Sequence, residues 1–102
     1  METHNHNLNI HYSAPDEIWD KLDELYKQMP YWNGYIDGCP QWYGTDDRVI
    51  EASAEPSGLQ LYAKLSDEEW NRWFDLFKQK ATAALGYPVG EPEDGFEFPL
   101  VP

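Results

Sequence analysis

The side chains that most often carry out chemistry are sparse in this 102-residue sequence, which has three histidines and one cysteine. His4, His6 and His11 lie in a polar segment, and neither a cysteine nor an acidic cluster completes a known metal-ligand spacing around them. Cys39 has no histidine or other base near it in the sequence, which is typical of an inert thiol and not of a nucleophile. We therefore predict no metal site, no cofactor and no covalent catalysis.

Carboxylates are abundant, because 19 residues are Asp or Glu against 7 Lys or Arg. Two carboxylates act as an acid–base pair only when they flank a concave site, and the sequence does not reveal such a site. A nucleophile elbow, a phosphate-binding loop and a dinucleotide fingerprint are all missing from the sequence. A hydrolase is therefore the weakest of three functional hypotheses, and we expect a protein that is not an enzyme.

Residues 31–44 combine five Tyr or Trp residues with three Gly and one Pro. This mixture is unsuited to a helix, because Gly adopts backbone angles that other residues avoid and Pro lacks a backbone donor. Large rigid rings on such a backbone are typical of a binding loop. We predict an aromatic loop in which some rings close over the core and others face a partner. The candidate contact rings are Trp32, Tyr35, Trp42 and Tyr43.

The second candidate for partner binding is the acidic face of the first predicted helix. At 100° per residue, Ile18, Leu22 and Leu25 share an apolar face, and carboxylates occupy the opposite face. Two like-charge pairs four residues apart, each centred on Asp20, cost about 0.2–0.5 kcal/mol per pair. A face that accepts such repulsion favours a basic partner. The candidate contact acids are Asp16, Asp20, Asp23 and Glu24.

The net charge of -12 and the acids of the aromatic loop decide the class of partner. Single-strand nucleic-acid binders line their aromatic grooves with basic residues. This loop instead carries three further candidate contact acids and has no Lys or Arg before Arg48. Direct binding of nucleic acid or of an anionic membrane is excluded, and a basic protein is favoured. The three loop acids are Asp37, Asp46 and Asp47.

Periodicity places these residues between regular elements. Residues 8–12 alternate like a short strand, and a helix capped by Ser13 follows and ends before Pro30. Residues 48–65 are predicted to form a β-hairpin whose four-residue loop, 55–58, pairs Ala54 with Leu59 and Ala52 with Leu61. A second helix starts at the capping box Ser66–Glu69 and ends at Gly86. Its predicted core stripe comprises Trp70, Trp73, Phe74, Phe77, Ala81 and Ala84.

These elements predict one α+β domain over residues 1–102, with two layers and the order β-α-β-β-α. Both amphipathic helices would cover one face of a small antiparallel sheet. Residues 1–7 are expected to be frayed, and residues 87–102 to form a Pro- and acid-rich tail. A final edge strand near residues 96–100 would bring the order close to a ferredoxin-like one.

The termini and the hydrophobicity of the chain suggest its compartment. Residues 1–9 are polar and do not resemble a signal peptide, and no apolar run approaches the roughly 20 residues of a membrane span. A single cysteine suits a reducing compartment. We therefore expect a cytoplasmic protein.

Three segments carry a resemblance to a known class of proteins. They are Tyr-Trp-Asn-Gly-Tyr-Ile at 31–36, Glu-Pro-Ser-Gly-Leu at 55–59 and Gly-Glu-Pro-Glu-Asp-Gly-Phe-Glu-Phe at 90–98. In a short, acidic, Trp-rich domain they resemble the immunity proteins of bacterial polymorphic toxins, including contact-dependent growth inhibition systems. The resemblance implies a basic toxin domain as partner, often a nuclease, which the protein occludes without catalysis. The alternative hypothesis is a small-ligand or carbohydrate-binding module built on the aromatic loop.

Overall fold

The computed structural model describes residues 1–45 and 47–99 and has an α+β fold of two layers. One layer is a five-stranded antiparallel sheet and the other consists of two α-helices. The spatial order of the strands is β1-β5-β4-β3-β2, so β1 and β2 are the sheet edges. The elements are β1 (Glu2–Leu8), α1 (Asp16–Gln28), β2 (Trp32–Ile36), β3 (Cys39–Thr45), β4 (Arg48–Glu55), β5 (Gly58–Leu65) and α2 (Asp67–Leu85).

The β4–β5 hairpin confirms the predicted register. Ala54 pairs with Leu59 and Ala52 pairs with Leu61. The strands extend into the predicted loop until Glu55 pairs with Gly58, which leaves two residues in the turn. Alternation along these strands buries one face, which comprises Ile50, Ala52, Leu59, Leu61, Ala63 and Leu65, although Ala54 at the end of this face is exposed.

The prediction of a frayed N-terminus is wrong. Residues Glu2–Leu8 form β1 and pair along the whole of β5, from Glu2 opposite Leu65 to Leu8 opposite Leu59. The polar character of this segment concealed its packing, since the imidazole rings of His4 and His6 stack on Trp70 at centroid distances of 5.2 and 5.4 Å. The predicted strand over residues 8–12 is also wrong, because only Leu8 of that segment lies in β1, although Ile10 is fully buried.

The segment predicted to be an aromatic loop is largely the β2–β3 hairpin. Its turn consists of Asp37 and Gly38, both with positive φ, and Ile36 pairs with Cys39 across it. The register shifts near Gly34 in β2 and again between β3 and β4. These irregularities explain why strict alternation is missing from the sequence of this hairpin.

The two helices begin differently. Ser66 caps α2 as predicted, because its Oγ accepts from the backbone N–H of Glu69 at 3.2 Å, and Gly86 ends the helix with φ 80°. For α1 the predicted Ser13 cap is wrong. This helix starts at Asp16, after an extended Pro15, without a side-chain cap. The Ser13 Oγ lies instead 2.6 Å from Nδ1 of His11.

The C-terminal segment is tied to the core by Asn9, a buried polar residue. Its amide nitrogen donates to the carbonyls of Pro88 (2.9 Å) and Glu97 (2.8 Å), and its amide oxygen accepts from the N–H of Gly90 (2.9 Å). This segment contains a 3₁₀ turn, Pro92–Asp94, and residues 96–99 form no strand. The predicted final strand is therefore wrong for residues 96–99, and its last residue lies outside the described part. The ferredoxin-like order is also wrong, because four strands separate the two helices.

Candidate functional site

The acidic residues of α1 border a groove between the two helices. The side chains of Asp20 and Glu24 line this groove, which has a volume of about 680 Å³. On the opposite wall, α2 contributes the small side chains of Ala83 and Ala84, which leave the space open. Two lysines, Lys21 of α1 and Lys80 of α2, also line the groove. Ala84 is exposed, so its predicted place in the core stripe is wrong. Asp16 is also exposed, one turn before Asp20, in the first turn of the helix.

Asp23 does not line the groove, and it joins α1 to the β2–β3 hairpin. The hydroxyl of Tyr35 donates to Oδ1 of Asp23 at 2.6 Å. Burial raises the pKa of Tyr35 to about 12, with further contributions from this hydrogen bond and from the charges of Asp23 and Glu24. The phenol is therefore a neutral donor at physiological pH, and it holds the hairpin against the acidic helix.

Trp32 lies beside Tyr35 on the hairpin. Its half-buried ring contacts the ring of Tyr35 edge-to-face at 5.4 Å and that of the core residue Trp42 at 5.6 Å. We call the surface formed by these rings and the neighbouring carboxylates the acid–aromatic surface. It consists of Asp20, Asp23, Glu24, Trp32 and Tyr35.

Trp42 is a core residue and not part of a contact surface, which corrects one of the predicted contact rings. Its side chain is fully buried. The indole N–H donates to the carbonyl of Tyr26 at 3.0 Å, and the ring packs edge-to-face on Trp73 at 4.9 Å. Alternation along β3 directs Trp42 toward the helices, where it is shielded from a partner.

Tyr43 lies near the opposite end of β3 from the turn that carries Asp37, in a second cluster of rings. It stacks on Tyr31 at a centroid distance of 4.2 Å, and the guanidinium of Arg48 lies 5.4 Å from its ring centroid. Burial raises the pKa of Tyr43, and the charges of Tyr31 and Glu69 raise it further. Tyr31, Tyr43 and Trp73 line a cleft of about 240 Å³ between the hairpin and α2.

The predicted acids of the hairpin are separated by the length of β3. Asp37 is exposed in the turn before β3, and Asp47 is exposed in the turn after it. Asp46 lies outside the described residues. The structure therefore brings Asp20, Asp23 and Glu24 together with Trp32 and Tyr35, and places Tyr43 and Asp47 elsewhere.

Tyr31 was not among the predicted contact residues. It is exposed, has a left-handed backbone (φ 68°) and stacks on a second left-handed tyrosine, Tyr43 (φ 71°). Bulky side chains rarely adopt this conformation, and the sequence gives no signal for it. On α1, the Nζ of Lys27 lies 3.8 Å from Oε1 of Glu24, three residues earlier.

The other candidate residues for chemistry lie apart from this surface. His4 is 3.5 Å from Asp67, and His6 is 3.1 Å from Glu91. In the described part of the chain, no three His, Cys, Asp or Glu residues are grouped so that they could hold a metal ion. Burial raises the pKa of the Cys39 thiol, and the charges of Glu51, Asp37 and Glu55 raise it further.

Comparison with known proteins finds one similarity to a curated protein. The chain is 32% identical over 93 residues to a ribosomal protein uS12 methylthiotransferase, RimO, of Symbiobacterium thermophilum. The aligned region covers 91% of this chain and 18% of that enzyme, so the chain spans about a fifth of the relative's length. No family model and no solved structure matches the chain. Neither described helix is long and apolar enough to span a membrane.

Proposed function

We propose that this chain is an acidic inhibitor that binds a basic protein domain through the acid–aromatic surface and occludes it without catalysis. In line with the resemblance to immunity proteins, the proposed target is a toxin domain of the nuclease kind. The observation that carries the proposal is the position of Asp20 and Glu24 at an open interhelical groove, next to the Asp23–Tyr35 hydrogen bond.

The charges of this surface suit a basic target. Asp20, Asp23 and Glu24 lie within two turns of one helix, and Lys27 forms an exposed ion pair with Glu24 at 3.8 Å. An exposed pair of this kind contributes little stability, so an incoming Lys or Arg could displace it at small cost. Lys21 and Lys80 also line the groove, so a basic partner would compete with these lysines for the carboxylates. The whole-molecule charge of -12 would also accelerate encounter with a positive surface.

The aromatic rings of this surface supply apolar contact area, which the carboxylates do not provide. Tyr35 is 46% exposed, and Trp32 is half-buried beside it. Aromatic rings that are partly packed before binding lose little entropy when a partner covers them, and they are enriched among the residues that dominate binding energy. Steering by the acids and anchoring by the rings would therefore act at one place.

The chain is similar to part of a methylthiotransferase. The name of that relative states that it acts on a ribosomal protein. A basic protein other than a toxin is a distinct outcome of the experiment below.

The proposal is tested by capture of partners from the lysate of the source cell at low and high salt, followed by an assay of the captured protein's activity. The test variant is Asp20→Lys with Glu24→Lys. The matched control is Glu93→Lys with Asp94→Lys, which changes the net charge equally on two exposed residues of the C-terminal segment. We expect one basic protein that is released by salt, inhibited by the wild type and missed by the test variant alone. Capture without inhibition, or equal loss in both variants, would contradict the proposal.

A second candidate function rests on the cleft between the hairpin and α2. The stacked Tyr31 and Tyr43 form one wall of this cleft, and Glu69 and Arg72 supply polar groups at it. Such a site would suit a small ligand that stacks on a ring, as a carbohydrate does. Quenching of Trp fluorescence by members of a sugar panel, and its loss in Tyr31→Ala, would support this function. An unchanged spectrum across the panel would exclude it.

A further inference from the structure

The outer edge of β2 is an open edge of the sheet. In the described part of the chain, β2 pairs with β3 and with no other strand. A sheet edge presents backbone N–H and C=O groups that can pair with another chain. The two edges of this sheet differ in composition, and the difference points to β2.

Natural sheet edges are usually protected by charged residues, Pro or bulges. The other edge strand, β1, contains Glu2 and two histidines, whereas β2 contains neither a charged residue nor Pro. Its one protective device is the irregularity before Gly34. After that point Gly34, Tyr35 and Ile36 pair regularly with β3, and Ile36 is 43% exposed.

The pairing also shows which backbone groups point outward. In an antiparallel pair, two opposed residues exchange either both hydrogen bonds or neither. Tyr35 is opposite Pro40, which has no N–H to donate. The Tyr35–Pro40 pair is therefore a non-hydrogen-bonded pair, and the N–H and C=O of Tyr35 face the open edge.

The negative charge beside this edge favours a basic partner over a second copy of the chain. The side chain of Tyr35 bonds to Asp23 of α1, and Asp20 and Glu24 flank Asp23 on that helix. A second copy of the chain carries the same charge of -12 and would be repelled. We propose that β2 accepts an extended segment of a basic partner as a sixth strand, with alternate Lys or Arg side chains directed toward these acids. This inference rests on the proposed function and specifies how the partner is held.

The test uses a synthetic peptide of about six residues in which lysine and valine alternate, the length of an ordinary strand. The control peptide has the same sequence with N-methylated backbone amides, so it keeps the charge and cannot form a β ladder. We expect the parent peptide to bind and to slow hydrogen exchange of the Tyr35 amide by about 10-fold or more. The N-methylated peptide should bind about 10-fold more weakly, which corresponds to about 1.4 kcal/mol.

Two variants isolate the backbone contact. Tyr35→Pro removes the outward N–H, and this substitution is tolerated on an edge strand where no ladder bond is lost. Tyr35→Val removes the ring and the hydroxyl and keeps the N–H. We expect Tyr35→Pro to lose the preference for the parent peptide and Tyr35→Val to retain it. The exchange measurement on the wild type decides the matter if Tyr35→Pro fails to fold.

The outcomes separate this inference from the proposed function. Equal binding of the two peptides, without protection of the Tyr35 amide, would overturn strand addition and leave an acidic binding surface in place. Binding of neither peptide would overturn strand addition, and the capture experiment tests the proposed function separately. Protection of the Tyr35 amide by self-association, detected as a dimer in sedimentation, would assign the edge to a second copy and also overturn this inference.

Discussion

The phenol of Tyr35 links the hairpin to the acidic helix, and its ionisation reports on that link. Its pKa of about 12 exceeds the ordinary value of 10.0, with burial as the largest cause and Asp23 as the next. We expect Asp23→Asn to lower this pKa but to leave it above 10, because the burial remains. The measurement is an NMR titration of the tyrosine Cζ resonances, with Tyr35→Phe to assign the signal. Titration of wild-type Tyr35 near 10 would contradict the contact.

The same pKa shift fixes the sign of a dependence of stability on pH. Because the folded state binds the Tyr35 proton more tightly than the unfolded state does, the contribution to stability is complete below pH 10. It is lost as the pH rises through about 12. Urea unfolding between these pH values should therefore show a smaller loss of stability for Tyr35→Phe than for the wild type.

Asn9 is the residue on which the order of the C-terminal segment depends. Its side chain makes hydrogen bonds to backbone groups of Pro88, Gly90 and Glu97. Asn9→Ala leaves these groups without a partner in a site where the residue itself is 1% exposed. We expect a loss in the free energy of unfolding on the order of 3 kcal/mol and faster amide exchange at Gly90.

The matched control for this change is Asn7→Ala. The side chain of Asn7 makes one exposed hydrogen bond, with Ser57 at 3.1 Å, and should contribute less than about 0.5 kcal/mol. The measurement is urea unfolding of both variants. Similar stability of the two variants would show that the C-terminal segment does not depend on Asn9.

At the scale of the element, the two helices offer a direct comparison of capping. The Oγ of Ser66 accepts from the N–H of Glu69 and donates to its carboxylate at 2.9 Å, whereas α1 has no side-chain cap. We expect Ser66→Ala to cost about 1 kcal/mol in the free energy of unfolding. Ser13→Ala should change it by less than about 0.5 kcal/mol, because Ser13 lies outside the helix. Equal costs would indicate that the Ser13 hydroxyl caps α1 in solution.

The elements that the sequence predicted well are those whose signals are local. The β4–β5 register follows from the alternation on both sides of Pro56 and Ser57, and α2 is bounded by its cap and by Gly86. The β2–β3 hairpin was missed although its turn, Asp37-Gly38, is a dipeptide typical of two-residue hairpins. The left-handed backbone of Tyr31 and Tyr43 and the nearby register shifts removed the alternation that would have marked its strands. The strand character of residues 2–7 depends on Trp70, which is more than sixty positions away.

The candidate site was predicted only in part, because some of its contacts join residues that are distant in the sequence. Helical periodicity placed Asp20 and Glu24 on one exposed face, and both border the interhelical groove. The hydrogen bond between Tyr35 and Asp23 requires the hairpin to fold back on α1, which periodicity does not specify. The amino-acid composition of residues 31–44 could not show that Trp42 is buried and Tyr35 exposed, because their burial depends on the register of β3.

At the scale of the whole molecule, an excess of twelve negative charges acts against the folded state. Self-repulsion of this kind destabilises a compact protein and is screened by salt. The repulsion is concentrated on α1, where Asp20 lies one turn from Asp16 and one turn from Glu24, with all three side chains exposed. These acids reduce stability and lie beside exposed aromatic rings and a sheet edge. Such a cost is expected of a surface that is retained for binding.

Asp20→Asn separates stability from binding on this surface. The substitution removes two like-charge contacts, each worth about 0.2–0.5 kcal/mol, so we expect the free protein to become more stable by up to about 1 kcal/mol at low salt. Association with the basic partner should slow at the same time, and both effects should shrink as salt is added. Thermal unfolding and stopped-flow association over a range of ionic strength provide the measurements, with Asp94→Asn as the control for net charge. A gain in stability with an unchanged rate of association would identify the acidic face as solvated surface. A gain in stability together with slower association in Asp20→Asn would place the partner at α1.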